Sequence, residues 1–506
     1  MASTHVEVER KYDPGPDSAL PDLSSLPGVV SVSDPVRHDL EAVYFDTADL
    51  ALARARITMR RRSGGDDAGW HLKLPSDSLG REEVRLPLGR ATGKPPRELR
   101  TAVLVFTRGE DLAPVATLRT SRSVRRLLAH DGVCLAEVCE DEVRAFDAAS
   151  SRGLLAWREW EVELVDGGAE LLDRVDAVMD SAGVAVAQAP SKLARVLGGR
   201  VTLPPAPPRP RKKGPAGALL QARVQEQLEI LKQRDVDVRR DTHEGVHKLR
   251  VAMRRVRSAL TTFRPLVDRE VTDPLREELK WIAGLLGEAR DAEVMAQRLT
   301  QAVSAQPVEL VLGAVTARID HTLGNRYRDG LAAALEAMES PRYFALLTAL
   351  DELAASPPWT PLAEDPVNTV LPRLLRRDWR RLRKRAALVG AATDQHGRDV
   401  ALHESRKAAK RLRHAAEAAR PVLGKDAKRV ARAAKAAQTM LGDHQDSVVT
   451  RSVLRQLGIQ AHLGGDSAFT FGLLYGLEQE HAATLEDGFD RAWSANYQPK
   501  LRRILD

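Results

Sequence analysis

The sequence predicts an α+β protein in two parts, an antiparallel β domain followed by an all-α domain. Three observations lead there. Apolar and polar residues alternate with period two up to about residue 200, and with period 3.6 beyond about residue 218. Between these stretches lies Leu203–Pro215, LPPAPPRPRKKGP, whose prolines favour an extended polyproline II spacer. Finally, two motifs in the second half recur in the same order at nearly equal offsets.

In the first half the strand-like runs are Val6–Lys11, Ala42–Asp46, Ile57–Arg62, Trp70–Leu74, Glu83–Leu88, Val115–Leu127, Val133–Phe146 and Leu155–Val165. Gly, Pro and Asp turns separate them. Helical patterns interrupt near Arg97–Phe106 and Ala169–Ala182. Many antiparallel strands with few helices imply a barrel or a sandwich.

The second half reads as helices at Leu219–Val238, Val246–Phe263, Pro274–Leu286, Asp291–Gln301, Val370–Leu388 and Ala401–Ala419. His247-x-x-Arg250-x-x-x-Arg254-x-x-Arg257 recurs as His403-x-x-Arg406-x-x-x-Lys410-x-x-Arg413, 156 residues later. Leu286-Gly287-Glu288-Ala289-Arg290-Asp291 recurs as Leu441-Gly442-Asp443-His444-Gln445-Asp446, 155 residues later. Two related helical bundles in tandem are expected, about 218–360 and 361–503, after a β domain at 1–200 and a linker at 201–217.

The formal charge of +7 conceals an asymmetry. Residues 1–200 hold 27 basic and 32 acidic side chains, and residues 201–506 hold 50 and 38. Cys134 and Cys139 are the only cysteines, which fits a reducing cytosol. No run of about 18 apolar residues predicts a membrane span, and the N-terminus carries no secretory pattern. A cytoplasmic protein is expected.

Glu7, Glu9 and Lys11 lie on one face of a strand, and Arg60/Arg62, His71/Lys73, Glu83/Arg85 and Glu159/Glu161/Glu163 repeat that alternation. One such row is an ordinary solvated face. Five rows dominated by Arg and Glu instead suit a barrel lined with charge, its basic rows holding a polyanion and its acidic rows a divalent cation.

Glu7-Val8-Glu9-Arg10-Lys11 resembles the ExExK signature of the CYTH, or triphosphate tunnel metalloenzyme, superfamily. Thr58–Arg62, Gly69–Pro75, Glu83–Leu88, Glu161–Leu164 and Ser191-Lys192-x-x-Arg195 extend the resemblance in order over residues 1–200. It implies an eight-stranded antiparallel tunnel acting on triphosphates with Mg²⁺ or Mn²⁺. By position, Glu7, Glu9, Asp141, Glu161 and Glu163 would hold metal. Arg60, Arg62, Lys73, Arg85, Arg119, Arg122, Lys192 and Arg195 would grip phosphates, with Arg125 a further candidate. Lys11 would sit beside the scissile phosphate, making Glu7, Glu9 and Lys11 the catalytic set. Glu140 and Glu142 compete with Asp141 for its position. For His71 packing or phosphate contact is expected before proton transfer.

In the helical motif, offsets of 0, 3, 7 and 10 place four side chains within an arc of roughly 80°. Residues 247–257 hold five Lys/Arg and no acid, so the stripe repels itself where a solvated face would carry acids for pairing. Arg373–Arg385 adds eight basic residues around a single acid, Asp378. The doubled motif is similar to the CHAD domain (conserved histidine α-helical domain) over about residues 218–503. That resemblance implies two pseudo-symmetric four-helix bundles binding inorganic polyphosphate through His247, Arg250, Arg254, Arg257, His403, Arg406, Lys410 and Arg413. Lys410 and Gln445 depart from the arginines of the first copy.

Aromatic residues are scarce at 4% and absent from the stripe, which disfavours nucleic acid. The expectation is a metal-dependent hydrolase of inorganic triphosphate or short polyphosphate with a polyphosphate-binding helical domain. The alternatives are a polyphosphate-granule binding protein with little turnover, or a nucleotide-directed tunnel, either a nucleoside triphosphatase or an adenylate cyclase.

Overall fold

The structure is a computed structural model that describes residues 3–75, 80–89, 93–148, 154–203, 206–498, 501 and 505. Pro204 and Pro205 of the expected linker, and the last residues of the expected second bundle, lie outside these. The chain forms two compact units, 1–204 and 205–506.

The first unit is one curled antiparallel sheet. Its strands are β1 (Ser3–Glu7), β2 (Glu9–Asp13), β3 (Ser31–Val32), β4 (Val36–Asp46), β5 (Thr58–Ser63), β6 (Gly69–Pro75), β7 (Arg81–Leu86), β8 (Ala113–Leu128), β9 (Cys134–Asp147), β10 (Leu155–Leu164) and β11 (Ala185–Val186). Neighbours follow the order β1-β7-β6-β5-β4-β8-β9-β10-β2-β11, with β3 beside β8. The expected strand Val6–Lys11 is split at Val8. Its first part pairs Glu7 with Arg81, and its second pairs Glu9 with Glu163. A single residue therefore joins the two ends of the sheet, and β1/β2 with the seven other long strands make eight.

Small helices decorate this sheet: α1 (Ala51–Arg54), α2 (Arg97–Ala102), α3 (Leu104–Thr107), α4 (Ala169–Ser181) and α5 (Lys192–Leu197). Leu171, Leu172, Val175 and Met179 recur at helical spacing and pack α4 on Tyr12, Val138, Trp160 and Val162 of the sheet's outer face. Ser191 caps α5 by accepting from the Ala194 amide at 3.1 Å. Leu193, Val196 and Leu197 then seat that helix against Tyr44, Leu118 and Val143.

The second unit contains α6 (Ala216–Arg239), α7 (Gly245–Thr262), α8 (Arg269–Ser304), α9 (Val315–Met338), α10 (Pro341–Ala355), α11 (Val367–Gly390), α12 (Gln395–Leu463) and α13 (Phe469–Ala492). The two segments expected at Pro274–Leu286 and Asp291–Gln301 are one helix, α8, which continues through Gly287. Gly424 breaks α12 into two arms at φ 56° and ψ −121°, a conformation open to glycine. Helices α6 to α9 pack successively, and α11, the two arms of α12 and α13 repeat that order, with α7 against α12. Among the described residues helix α10 has no counterpart. Leu249, Met253, Val256 and Leu260 form the buried face of α7, which leaves the His247 stripe at its edge. Among the described residues no helix is long and apolar enough to cross a membrane.

Candidate functional site

Period two decides what enters the cavity of the first unit. Glu7, Glu9 and Lys11, Arg60 and Arg62, Lys73, Arg85, Arg122, Glu161 and Glu163 all line one cavity of about 310 Å³, joined by Lys192 from the first turn of α5. The opposite parity points outward. Arg119, three residues from Arg122, stands on the outer face with its side chain 77% exposed and paired to Glu41 across the sheet. Arg125, also an odd step from Arg122, pairs with Glu140. Arg195 turns from the cavity to Asp13 at 2.5 Å and stacks over Trp157. These three positions correct the expected phosphate-binding set.

Asp141 is corrected in a different way. It lies within β9 on the inward parity of Glu137 and Cys139, is buried, and receives two bonds from Arg122, at 2.7 and 2.6 Å, and Lys192 at 3.0 Å. Burial alone would raise its carboxyl, but Lys192 and Arg122 hold it below the ordinary range. With both oxygens occupied by cations, Asp141 aims Arg122 and is not placed as a metal ligand.

On β7, with the inward parity of Arg81 and Arg85 and directly across from Lys73, Glu83 has the same task. It is fully buried, accepting from His71 at 2.9 Å and from Arg85 at 2.5 Å, with Arg60 and Lys73 each within 4 Å. The His71 bond and the Lys73 and Arg60 charges overcome its burial and keep it ionised. His71 also contacts the Asp67 carbonyl at 2.9 Å, and burial pushes its pKa down. It is a packed support for Glu83.

The remaining acids divide by partner. Glu161, also expected to hold metal, meets Lys192 at 2.6 Å, Lys11 and Arg122, which together hold it well below the carboxylate range against its burial; with both oxygens on cations it leaves the expected metal set. Glu9 accepts from Lys11 at 2.7 Å and Glu7 from Lys73 at 2.7 Å. Glu163 is pushed up to about 8, first by burial and then by the charges of Glu7 and Glu9, against the pull of Lys73. Three carboxylates crowded until one retains its proton form a donor set that suits a hard divalent cation.

Sequence reasoning missed Arg81, Arg126 and Tyr44, all of which line the cavity. The signal was available, since Arg81 shares parity with Arg85 and Arg126 with Arg122. Tyr44 approaches Arg60 at 3.4 Å, and that cation lowers its hydroxyl pKa despite burial.

In the second unit the two basic stripes converge. Arg254 is pushed down to about 10 by burial and by Arg250, Arg413, Arg255 and Arg406, which come from both repeats. Lys410 is pushed down to about 7 by burial and by Arg254, Arg406, Arg257 and Arg250. Arg254 Nε and Arg406 Nε are buried without a hydrogen-bond partner among the described residues. The second motif is the bed for the first: Arg250 donates to the Gly287 carbonyl at 3.1 Å and to Asp291 at 3.0 Å. Burial, and then the Arg290 charge, lower the His247 pKa, and Gln445 bonds His403 at the place equivalent to Arg290. All eight expected residues lie on these two stripes. Part of the Arg373–Arg385 run is structural, since Asp378 is buried with Arg411 at 2.7 Å and Arg377 donates to the Thr262 carbonyl.

Asp399, His444 and Glu486 also gather within 4.8 Å of one another. Gln395 donates to both carboxylates and Arg398 to Glu486, so the group reads as a satisfied network tying α12 to α13.

Two domain families match the chain, CYTH over residues 5–196 and CHAD over residues 222–455. The uncharacterized proteins MT2285 and Rv2226 of Mycobacterium tuberculosis are each 41% identical over 507 residues, covering 96% of this chain and 96% of theirs. The chain belongs to their family, with a CYTH domain followed by a CHAD domain. Among solved structures it is similar to PptA from Streptomyces chartreusis, at 22% identity and a TM-score of 0.45, over 55% of this chain and 99% of that one. The CHAD domain from Ricinus communis is 24% identical with a TM-score of 0.45, over 58% of this chain and 96% of that one. HpAC1 from Hippeastrum, a proposed adenylyl cyclase described as having a dominant triphosphatase activity, is 19% identical with a TM-score of 0.26, over 39% of this chain and 97% of that one.

Proposed function

We propose that the tunnel hydrolyses inorganic triphosphate or short polyphosphate with Mg²⁺ or Mn²⁺, and that the helical unit binds inorganic polyphosphate. The observation that carries this reading is the juxtaposition, in one cavity, of the Glu7, Glu9 and Glu163 carboxylates with cations on the facing strands. Among the described residues that line the cavity Tyr44 is the only Phe, Tyr or Trp, so these walls offer little on which a base would stack. A base-free phosphate chain therefore fits better than a nucleotide.

Phosphoryl transfer asks the protein for alignment and charge neutralisation more than for covalent chemistry. Arg60, Arg62, Lys73 and Arg122 grip non-bridging oxygens; Glu83 aims Arg60 and Lys73, Asp141 aims Arg122, and Asp67 holds Arg62. Lys11 and Lys192, both charged because of Glu161, stand where negative charge grows on the leaving phosphate. Glu7, Glu9 and Glu163 would hold the divalent ion, which supplies further neutralisation and a more acidic water when bound.

The test is phosphate release from tripolyphosphate, long-chain polyphosphate and ATP, each with Mg²⁺ and with Mn²⁺. Tripolyphosphate should be the best substrate, and Glu7→Ala/Glu9→Ala should abolish release. A wild type as inactive as that variant would reduce the tunnel to a binding site. Faster release from ATP than from tripolyphosphate would transfer the reading to a nucleotide.

A further inference from the structure

We propose that the polyphosphate track of the helical unit is asymmetric: it leaves the central cluster along the α12 hairpin, over Lys435, Lys428 and Arg432, where the first repeat has Lys280 paired to an acid and, at the other two positions, the acids Asp273 and Glu277. The inference rests on the polyphosphate reading above and adds to it a direction and a dependence on chain length.

The repeats differ most in charge at their hairpin tips. At the offset of 155 residues that aligns Gly287 with Gly442, Glu270, Asp273 and Glu277 of α8 correspond to Lys425, Lys428 and Arg432 of α12. The first tip is closed on itself, because Asp273 accepts from Arg264 at 3.1 Å and from Arg276 at 2.8 Å, and Glu277 pairs with Lys280 at 3.4 Å. In the second, Lys425, Lys428, Arg432 and Lys435 are all exposed. Among the described residues none of the four has a carboxylate partner; Asp426, the one acid of the stretch, pairs with Arg429 at 3.2 Å. Like charges three and four residues apart repel along a helix. A solvated face relieves this with acids, as the first repeat does, whereas a bound polyanion relieves it here.

The row is continuous with the central cluster. Gly442 is where the Arg406 guanidinium lies, 3.4 Å from the position of a Cβ. One turn back, Gln438 accepts from Arg413 at 3.3 Å. Lys435 and Lys428 precede Gly442 by two and four turns and stay within roughly 40° of it around the helix, which prolongs the track by about 20 Å. Neighbouring phosphates of a long chain can occupy that length, and a short chain filling the cluster cannot.

The test measures binding of short-chain and long-chain polyphosphate to the full chain as a function of salt. In Lys428→Glu/Arg432→Glu, which installs the charges of the first repeat, long-chain affinity should fall at least tenfold and its log–log salt slope become shallower by about two. Short-chain binding should be unchanged. Lys428→Gln/Arg432→Gln should fall between that variant and wild type. Equal loss for both lengths, or for neither, overturns the asymmetric track while leaving the polyphosphate reading standing. A wild type that binds neither length sinks both. Loss of duplex DNA binding in place of long-chain polyphosphate binding would assign the row to nucleic acid and overturn the proposal.

Discussion

The guanidinium of Arg250 lies on Gly287, donating to its carbonyl at 3.1 Å, and a Cβ at that position would meet Nη2 at 3.4 Å. Arg406 and Gly442 repeat the relationship at 3.4 Å. The histidine–arginine motif and the leucine–glycine motif, 37 residues apart from Arg250 to Gly287, therefore pack together as two halves of one basic cluster. Gly287→Ala brings only ordinary van der Waals contact and improves helix propensity by about 1 kcal/mol. It should keep polyphosphate affinity and raise the melting temperature. Gly287→Leu should displace Arg250 and weaken polyphosphate binding about tenfold, ~1.4 kcal/mol, while remaining folded. Leucine at 287 with wild-type affinity would refute the bedding role.

Asp141 separates aiming from metal binding. Asp141→Asn leaves Arg122 with its Glu161 contact but removes the charge that fixes its fork. The expected loss is about 10–100-fold in kcat/KM for tripolyphosphate, roughly 1.4–2.7 kcal/mol. Excess Mn²⁺ should not restore the rate. Rescue by raised metal concentration would return Asp141 to the metal set.

Strand parity makes a sharper comparison on β8. Arg119→Ala removes an exposed ion pair with Glu41, of the kind worth about 0–1 kcal/mol. Tripolyphosphate turnover should be unchanged. Arg122→Ala should lower turnover at least a hundredfold, about 2.7 kcal/mol. Comparable losses in the two variants would contradict the inward and outward assignment. Phosphate-release kinetics with a thermal-unfolding control read both.

Much of the fold was legible because strands and helices advertise themselves by period. All eight expected strand runs are present, and parity alone places Glu7, Glu9, Lys11, Arg60, Arg62 and Arg122 inside. Parity would also have excluded Arg119 and found Arg81 and Arg126, had it been applied to every charge on those strands. What no pattern along the chain contains is partnership across the sheet. Glu83 and Asp141 look like further ligands in sequence, and only the register that sets His71 opposite Arg85 and Arg122 opposite Asp141 makes them supports. In the helices the repeat revealed both motifs, but that Gly287 makes room for Arg250 depends on how α7 crosses α8. The expected helix Ala401–Ala419 stops short of Pro421 and Gly424, and the second arm of α12 beyond that break is not among the expected helices.

Lys410, which stands where the first repeat has Arg254, gives the helical site a pH dependence. Burial and the facing cations Arg250, Arg254 and Arg257 of α7 and Arg406 of its own helix push its amine down to about 7. A bound polyanion offsets those cations and favours the ammonium. The sign follows: below pH 7 Lys410 is already charged and contributes its full attraction. Above pH 7 binding must first take up a proton, and affinity should fall, approaching tenfold per pH unit in the limit. Lys410→Arg, charged throughout, should flatten the profile between pH 7 and pH 9 and reduce the proton uptake measured at pH 8 by calorimetry in buffers of different ionisation enthalpy. Folding alone has the opposite preference. A base whose folded pKa lies below its unfolded value costs stability at pH values below the folded pKa and regains it as pH rises, so Lys410→Met should melt above wild type at pH 6.5 while binding polyphosphate less well. A Lys410→Arg profile as steep as that of wild type would remove Lys410 as the titrating group.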